Sequence, residues 1–287
     1  MISEALNEAG HRKYPPGTQH GYAASIGGMT GSFHHNLLAH CAGRNWSLAG
    51  GLDASKRHTG WLDIRNNVVF NWKDRTIDGG AARVQFVNNY YKPGPATKTH
   101  QAIRPELEWV DRYGPQLYFI QGNVVEGHVD ANQKLGGFVA WPEVPIQDYV
   151  MDTPFFPAHV QTESAEEAYG KVLVNAGCTH PQRDPHDKRV IEEVRLGICR
   201  FHGSRTGLPG LPDSQEDVGG WDDYPFVPRP SSWDTDGDGM PDDWESKRHL
   251  NPQDASDGIQ DRNGDGYTNL EEYLGWLVGE FPTPQDP

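Results

Sequence analysis

Four short apolar segments in the first 125 residues share one pattern, in which an alternating strand ends at asparagine and a second apolar strand follows. The asparagines are Asn36, Asn67, Asn89 and Asn123, separated by 31, 22 and 34 residues. A strand–bend–strand unit at this spacing predicts an all-β solenoid, a parallel β-helix, in which longer steps add loops. Asparagine suits the bend because it tolerates left-handed backbone angles and can hydrogen-bond to its equivalent one coil away. A β-sandwich with asparagine in its turns is the alternative.

Composition excludes several other classes of protein. The 33 glycines and 22 prolines disfavour a helical bundle, and no apolar run of about 18 residues offers a membrane span. Nine tryptophans and eleven tyrosines indicate a folded chain rather than a disordered one. Three cysteines, Cys41, Cys178 and Cys199, fit no zinc-site spacing, and a disulfide between the last two stays open.

The net charge of −15 comes entirely from the last quarter of the chain. Residues 1–212 contain 21 acidic and 21 basic side chains, whereas residues 213–287 contain 19 acidic and 4 basic ones. This balance argues against nucleic acid as a partner. The change in charge predicts a separate C-terminal segment with its own chemistry.

We predict four regions along the chain. They are a β-helix over 1–160, a helical and loop segment packed on it over 161–212, a Gly/Pro-rich linker over 213–232, and calcium loops over 233–287. In the second region, Ser164 and Glu167 form a capping-box pattern that begins a helix ending near Gly177. A second short helix is expected over Asp187–Leu196.

The tail matches a twelve-residue calcium-loop pattern twice. The pattern has Asp at the first position, Asp or Asn at the third and fifth, Gly at the sixth and Glu at the twelfth. Backbone carbonyls at the seventh positions and side chains elsewhere supply the oxygens that Ca²⁺ prefers. Pro228 and Pro230 disfavour an entering helix, so the pair resembles dockerin or thrombospondin type 3 loops. The alternative is an acidic, solvated tail without metal. The predicted ligands are Asp234, Asp236, Asp238, Met240, Asp242 and Glu245 in the first loop, and Asp261, Asn263, Asp265, Tyr267, Asn269 and Glu272 in the second.

The densest group of candidate functional side chains lies between His34 and Arg44. On a strand, His34 and His35 point to opposite faces, so at most one can reach a shared site. Arg44 follows the strand, where a solenoid loop would raise it onto a surface groove. Further positive charge nearby in the sequence comes from Lys13, Arg57 and Arg65. A neutral body with a local basic groove suits an anionic polymer such as a polyuronate.

The motif His34-His35-Asn36 followed by Arg44 resembles the pectate lyases of polysaccharide lyase family 1. The resemblance continues through residues 63–69 and 87–95. Later segments, 165–173, 183–190 and 218–221, are similar to bacterial members of the family. Residues 234–274 resemble the calcium-loop tail that some members carry. It covers nearly the whole chain. It implies a right-handed parallel β-helix with a small helical calcium-binding C-terminal segment, in agreement with the repeat.

The resemblance also implies β-elimination of an acidic polysaccharide, pectate (polygalacturonate), by a secreted enzyme that uses Ca²⁺. A cation neutralises the C6 carboxylate of the uronate, a base removes the C5 proton, and the glycosidic oxygen leaves from C4. The family's base is an arginine at the position of Arg44. A guanidinium ordinarily stays protonated, so holding the carboxylate is the alternative role for Arg44. We assign substrate binding to Lys13, His20, His35 and Arg57.

Two departures from the family pattern affect these expectations. A second basic residue usually follows the arginine within one loop, but residues 45–49 contain none, so Lys56 or Arg57 would have to substitute. The family's catalytic calcium ligands lie in an acidic motif upstream of the segment that resembles Ile2-Ser3-Glu4. We therefore expect an N-terminally truncated chain that lacks this motif. The expected partner is an acidic polysaccharide, bound by a monomer, with no nucleic acid and no membrane span.

Other functions remain open from the residues alone. The chain could be a non-catalytic or truncated carbohydrate-binding β-helix, or a lyase for another polyuronate such as rhamnogalacturonan, alginate or ulvan. A glycoside hydrolase would need two acidic groups across one groove, for which Asp53, Asp63 and Asp78 are candidates. A transition-metal site could be built on His34 or His40.

Overall fold

The computed structural model describes residues 1–10, 12–49, 52–107, 110–133, 135–141, 144–180, 182–222, 224, 228–279 and 281. The chain forms two compact units, of which the first comprises residues 1–177 and 185–222 and the second comprises residues 178–184 and 223–287. Among the described helices, none has the length and apolar character that crossing a membrane requires. The finer division into four regions stays a prediction.

In the part of the first unit that the structure describes, the strands form three sheets, and every pairing between neighbouring strands of a sheet is parallel. Sheet 1 contains β1 (Ile2–Ser3), β4 (Leu37–Ala39), β7 (Val68–Phe70), β10 (Tyr90–Lys92) and β13 (Val124–Val125). Sheet 2 contains β2 (Ser25–Ile26), β5 (Ser47–Ala49), β8 (Ile77–Gly80) and β11 (Ile103–Pro105). Sheet 3 contains β3 (Thr30–His34), β6 (Trp61–Arg65), β9 (Arg83–Val87) and β12 (Leu117–Gln121), and one helical turn, α1 (Val110–Tyr113), precedes β12. Each coil passes through sheets 2, 3 and 1 in that order, which confirms the predicted parallel β-helix.

The interior of the β-helix is a stack of apolar side chains at equivalent positions of successive coils. Leu62 and Ile64 of β6 lie in register with Val84 and Phe86 of β9, and Tyr118 of β12 continues the stack. All five side chains are fully buried. Because burying a large apolar side chain contributes about 1.5–3 kcal/mol, this stack is a main source of stability.

Residues 152–163 cover the outward face of sheet 3. Beneath this segment, Arg65 donates to Asp63 through Nε at 2.7 Å and Nη2 at 2.6 Å, and its Nη1 donates to Thr162 Oγ1 at 2.6 Å. Gln85 Oε1 accepts the backbone N–H of Phe155 at 2.9 Å. Asp63, a candidate acid for a hydrolase, and Arg65, a candidate groove cation, are thus buried as partners of each other.

An asparagine ladder runs along the bend between sheets 3 and 1. Asn36 Nδ2 donates to Asn67 Oδ1 at 3.0 Å, Asn67 to Asn89 at 3.0 Å, and Asn89 to Asn123 at 2.9 Å. This confirms that each asparagine bonds to its equivalent one coil away. The left-handed backbone falls one residue before each ladder asparagine, so asparagine supplies it at two of the four bends but not at the ladder positions themselves. Those preceding residues are His35, Asn66, Asn88 and Gly122.

Replacing Asn67 with alanine is expected to lower the free energy of unfolding by about 3–5 kcal/mol, because each buried group left unpaired costs about 1–3 kcal/mol. The Asn67 side chain accepts from the N–H and Nδ2 of Asn36 and donates to Phe33 O at 2.8 Å and to Asn89 Oδ1. Urea denaturation measures the loss. Asn36→Ala, at the half-buried end of the ladder, is the matched control and is expected to cost about 1 kcal/mol. Equal losses for both variants would contradict this account of the ladder.

Two helices, α2 (Ala165–Asn175) and α3 (Pro185–Leu196), pack on the outward face of sheet 1. The Ser164 side chain accepts the Glu167 N–H, and the Glu167 carboxylate accepts the Ser164 N–H, which confirms the predicted capping box. The helix α3 begins two residues before the predicted start at Asp187. The apolar contacts join Leu37, Ala39, Val68 and Phe70 of the sheet to Val172, Leu173, Val190, Ile191 and Val194 of the helices.

The three cysteines are free thiols, so the disulfide left open by the sequence is not formed. Cys178 is exposed. Burial raises the pKa of Cys41 to about 12, and burial also raises the pKa of Cys199 to about 12. Neither of these two thiols is therefore a reactive thiolate near neutral pH.

The second unit packs two short helices against each other. A 3₁₀ turn (Ser231–Trp233) leads to the first acidic loop, α4 (Asp242–Lys247) follows that loop, and α5 (Asn269–Leu277) follows the second. Their shared core includes Met240, Trp244 and Tyr273. The helices α4 and α5 agree with the small helical C-terminal segment that the resemblance implies. A 3₁₀ turn rather than an α-helix leads to Asp234, as Pro228 and Pro230 predict.

Candidate functional site

Arg44 lies at the corner where the chain passes from β4 in sheet 1 to β5 in sheet 2. Its backbone φ is 52°, in the left-handed region that residues with a side chain rarely adopt. Its carbonyl accepts the N–H of Ala24, from the preceding coil, at 3.1 Å. Backbone conformations of this kind cluster at functional sites, because only a packed surrounding structure maintains them.

Corners of three successive coils stack around Arg44. The backbone bonds that join them are Ala23 N–H to Gly43 O at 3.0 Å, Lys73 N–H to Ala42 O at 3.1 Å and Asn45 N–H to Thr76 O at 3.2 Å. This stacking places Tyr22 one coil before Arg44 and Arg75 one coil after it. Residues distant in sequence therefore share one corner of the β-helix.

Two guanidinium groups lie beside the ring of Tyr22. Arg44 Cζ is 4.6 Å from the ring centroid and Arg75 Cζ is 4.9 Å from it, both within the range of cation–π attraction. Arg75 Nη1 also donates to the Tyr22 hydroxyl at 3.2 Å. Gly43 permits this packing, because a Cβ at Gly43 would lie 2.9 Å from Arg75 Cβ and 3.4 Å from the Tyr22 ring. The corner thus concentrates two positive charges beside one aromatic ring.

Arg75 is held in place by Asp78 of β8. Its Nε donates to Asp78 Oδ2 at 2.7 Å, and its Nη2 makes a second, short bond to the same oxygen. Burial alone would lower the pKa of Arg75, but the bonds to Asp78 and the charge of Asp78 outweigh it, so the pKa is raised. Arg75 is therefore a permanent cation. Asp78, another candidate acid for a hydrolase, is a buried partner of Arg75.

Aromatic rings extend this corner beyond Tyr22. The His20 ring lies 4.5 Å from the Tyr22 ring, and Tyr14 stacks on His20 at 5.4 Å with an interplanar angle of 29°. Lys13 precedes Tyr14 in an exposed loop. The structure thus brings His20 to the corner of Arg44 through Tyr22, and places Lys13 next to the ring that stacks on His20.

His35 lies at a different corner, on the bend between sheets 3 and 1. Its Nε2 is 2.9 Å from Glu163 Oε2, and its Nδ1 is 3.0 Å from His34 Nδ1. The expectation that the two histidines point to opposite faces was wrong, because β3 ends at His34 and His35 has a left-handed backbone.

Arg57 lies in an exposed turn between β5 and β6, where its N–H donates to Asp53 Oδ1 at 2.9 Å. Lys56, the other substitute expected for the second basic residue, lies in the same exposed turn. Both belong to the connection between sheets 2 and 3, whereas Arg44 lies between sheets 1 and 2. Their roles in substrate binding stay predictions.

The first acidic loop of the second unit is a candidate metal site. Asp234, Asp236 and Asp238 each offer one carboxylate oxygen, and these oxygens lie within 4.8 Å of one another. Oδ2 of Asp236, Oδ2 of Asp238 and both carboxylate oxygens of Glu245 are buried without a hydrogen-bond partner among the described residues. Burial, followed by repulsion from neighbouring carboxylates, raises the pKa of Glu245 to about 7. Such oxygens are costly to bury alone, so this donor set fits a hard cation such as Ca²⁺.

The other predicted ligands have different surroundings. Both oxygens of Asp242 accept bonds from Thr235, at 2.7 Å from N–H and 2.6 Å from Oγ1. In the second loop, Glu272 accepts from Asn263 Nδ2 at 2.7 Å and pairs with Arg248 at 3.2 Å. Among the described residues, the carboxylate groupings close enough to share a cation involve only the first loop and its neighbours. The first loop is therefore better arranged for a cation than the second.

The chain is similar to fungal proteins named probable pectate lyase C. It is 29% identical to that of Emericella nidulans over 230 residues, which is 76% of this chain and 48% of the relative. It is also 29% identical to those of Aspergillus flavus and Aspergillus oryzae over 225 residues, 75% of this chain and 48% of each relative. The chain thus spans about half the length of these relatives, and no protein-family model matches it. The similarity supports a relationship to pectate lyases at the level of the family, while the bacterial type stays a prediction.

Proposed function

We propose that this protein is a polysaccharide lyase that cleaves pectate or a closely related polyuronate by β-elimination at the corner that holds Arg44. The observation that carries the proposal is the pair of guanidinium groups, Arg44 and Arg75, within 5 Å of the Tyr22 ring centroid. A parallel β-helix similar to proteins named pectate lyase presents this pair. Two cations at one corner suit the carboxylates of a polyuronate chain.

The proposed elimination takes place at C4 and C5 of one uronate. The C5–H bond and the bond from C4 to the glycosidic oxygen break, and a C4–C5 double bond forms. Arg44, the position of the family's base, first gives one guanidinium proton to water, and the neutral guanidine then takes the C5 proton. The leaving oxygen takes the proton that Arg44 released, so that Arg44 ends the cycle as a guanidinium again. Negative charge that develops on the C6 carboxylate in the transition state is stabilised by the neighbouring cation, Arg75.

Arg75 supplies the second positive charge that the family pattern places soon after the catalytic arginine. It comes from the next coil rather than from the same loop, and we assign the role to Arg75 in place of Lys56 or Arg57. Its bonds to Asp78 and Tyr22 fix the guanidinium before substrate binds. Such preorganised charge is more effective than a mobile side chain, since it needs no reorganisation.

We further propose that the first loop of the second unit binds a structural Ca²⁺ ion through Asp234, Asp236, Asp238 and Glu245. Its buried, unpaired carboxylate oxygens support this role. When bound, the ion would neutralise repulsion between these side chains and contribute to folding of the unit. We therefore propose that the protein is secreted into surroundings in which calcium is abundant. We propose separately that it acts as a monomer.

The test is ultraviolet absorbance of the unsaturated uronate product, recorded with polygalacturonate in the presence of Ca²⁺. We expect absorbance to rise with time, and to rise more slowly with alginate, whose uronates differ in configuration. Absence of product from folded protein that still binds polygalacturonate would overturn the lyase proposal in favour of a carbohydrate-binding β-helix.

Replacing Arg75 with glutamine is expected to raise KM for polygalacturonate and to lower kcat, so that kcat/KM falls about tenfold or more, since a hydrogen bond to a charged group contributes about 1.5–3 kcal/mol. Steady-state kinetics at two salt concentrations measure this change, and the salt dependence of KM should weaken as well. Because Arg75→Gln leaves Asp78 buried without its cation, the double variant Arg75→Gln/Asp78→Asn is measured alongside.

The matched control for Arg75 is Arg83→Gln. Arg83 lies on the outward side of sheet 3, with Cζ 4.6 Å from the Trp61 ring centroid. We expect its KM to equal that of the wild type. If both Arg75 variants matched Arg83→Gln, Arg75 would have no part in substrate binding.

A further inference from the structure

We propose that Asp257, which lies outside both acidic loops, is a ligand of the calcium ion bound by the first loop. Asp238, Glu245 and Asp257 each offer a carboxylate oxygen, and these three oxygens lie within 4.8 Å of one another. Asp257 is twelve residues beyond Glu245, the last position of the loop pattern. The site is therefore composite, because a separate segment of the chain completes it.

Burial distinguishes this group from an ordinary acidic surface. Glu245 is fully buried and Asp257 is 8% exposed. Both oxygens of Glu245, Oδ2 of Asp238 and Oδ1 of Asp257 are buried without a hydrogen-bond partner among the described residues. An ionised carboxylate taken out of water without a partner is strongly unfavourable, and a cation among the three side chains would pair with all of these oxygens at once.

The backbone around Asp257 orients its free oxygen. Oδ2 accepts the N–H of Asn251 at 2.8 Å, and the Asp257 carbonyl accepts Nδ2 of Asn269 at 2.7 Å. One carboxylate oxygen is thereby anchored, and the other, Oδ1, remains available to the cluster. The next residue is Gly258, where a Cβ would lie 2.5 Å from Asp238 Oδ2. Glycine thus lets this segment approach the loop closely.

The chemistry of the candidate ligand atoms indicates which cation the site binds. The candidate ligand atoms are carboxylate oxygens and the backbone carbonyl predicted at Met240, which suit hard cations, whereas transition metals favour nitrogen or sulfur ligands. Two groups of three carboxylates, Asp234 with Asp236 and Asp238, and Asp238 with Glu245 and Asp257, share Asp238, so the ligands come from the loop and from a segment beyond it. Ca²⁺ accepts six to eight oxygens in flexible geometry, whereas Mg²⁺ demands a near-ideal octahedron and retains several waters. Calcium therefore fits this crowded set better.

Isothermal titration calorimetry of the full-length chain with calcium chloride tests this proposal through the variant Asp257→Asn. The amide oxygen can still accept from Asn251, but the variant loses one negative ligand. We expect the affinity of the tighter site to fall at least about tenfold. The matched control is Asp254→Asn, because Asp254 is exposed and, among the described residues, its carboxylate bonds within its own turn, to Ser256. This control should bind as the wild type does.

Thermal melting with and without calcium separates a loss of calcium binding from misfolding of the Asp257→Asn variant. Without calcium, Asp257→Asn is expected to melt no lower than the wild type, because one repulsive charge is gone. With calcium, its stabilisation should be smaller. Equal calcium affinity in Asp257→Asn and Asp254→Asn would overturn the proposal, and absence of calcium binding by the wild type would overturn the site as a whole. Neither outcome depends on lyase activity.

Discussion

Substitution of Arg44 by glycine is expected to lower kcat/KM on polygalacturonate by about 1,000-fold, since a positioned general base contributes about 10²–10⁴-fold. Glycine is chosen because the backbone at Arg44 has a φ of 52°, which glycine adopts without strain. The variant therefore removes the guanidinium and leaves the corner of the β-helix intact. Initial rates of unsaturated product formation, measured at substrate concentrations below KM, give the ratio directly.

The lysine variant distinguishes the two roles open to Arg44. If Arg44 only holds the carboxylate, Arg44→Lys retains a positive charge and is expected to lose about tenfold. If the planar guanidine receives the C5 proton, the lysine variant loses nearly as much as Arg44→Gly. Arg83→Gln serves again as the control. Wild-type rates in Arg44→Gly would remove Arg44 from the mechanism.

Removal of calcium is expected to destabilise the second unit by about 4 kcal/mol when free calcium exceeds the dissociation constant about 1,000-fold. The physical reason is the burial of carboxylate oxygens of Asp236, Asp238 and Glu245 without partners among the described residues. Differential scanning calorimetry with calcium, and then with a calcium chelator, measures the change as a lower melting transition.

The internal control for calcium removal is the transition of the β-helix, whose stability comes from its apolar stack and asparagine ladder and should not shift. Magnesium at the same concentration is expected to restore little of the lost stability, because it prefers fewer protein ligands. A chelator that left both transitions unchanged would contradict a structural calcium ion in this unit.

Sequence periodicity predicted the fold well, because each coil of a β-helix repeats the same local chemistry. The spacing from Asn36 to Asn123 located the bend between sheets 3 and 1, and the ladder bonds follow from it. The capping box at Ser164 likewise identified the start of α2. These features depend on neighbouring residues or on a regular repeat, and such features can be recognised in a single sequence.

The composition of the candidate sites could not be predicted in the same way. Tyr22, Arg44 and Arg75 meet only because corners of successive coils stack, and loops of unequal length separate them. No local pattern marks Arg75 as the neighbour of Arg44. Asp257 was missed for a similar reason, since it lies outside the twelve-residue loop pattern and reaches Asp238 through the fold of the unit.

The left-handed residue His35 shows a different limit. Strand alternation placed His34 and His35 on opposite faces, and this would hold within a strand. The strand β3 ends at His34, so His35 lies outside it and its ring contacts the ring of His34 through the two Nδ1 atoms. Boundaries of short strands decide such contacts, and periodicity alone does not fix them to a single residue.

The most direct test of the central claim is mass spectrometry of the products formed from one defined polygalacturonate oligomer. Elimination at the Arg44 corner adds no water, so the account predicts pairs of products whose masses sum to that of the substrate. One member of each pair should carry the C4–C5 double bond, and Arg44→Gly should form both members about 1,000-fold more slowly than the wild type. Product pairs heavier than the substrate by one water would show hydrolysis and contradict the account.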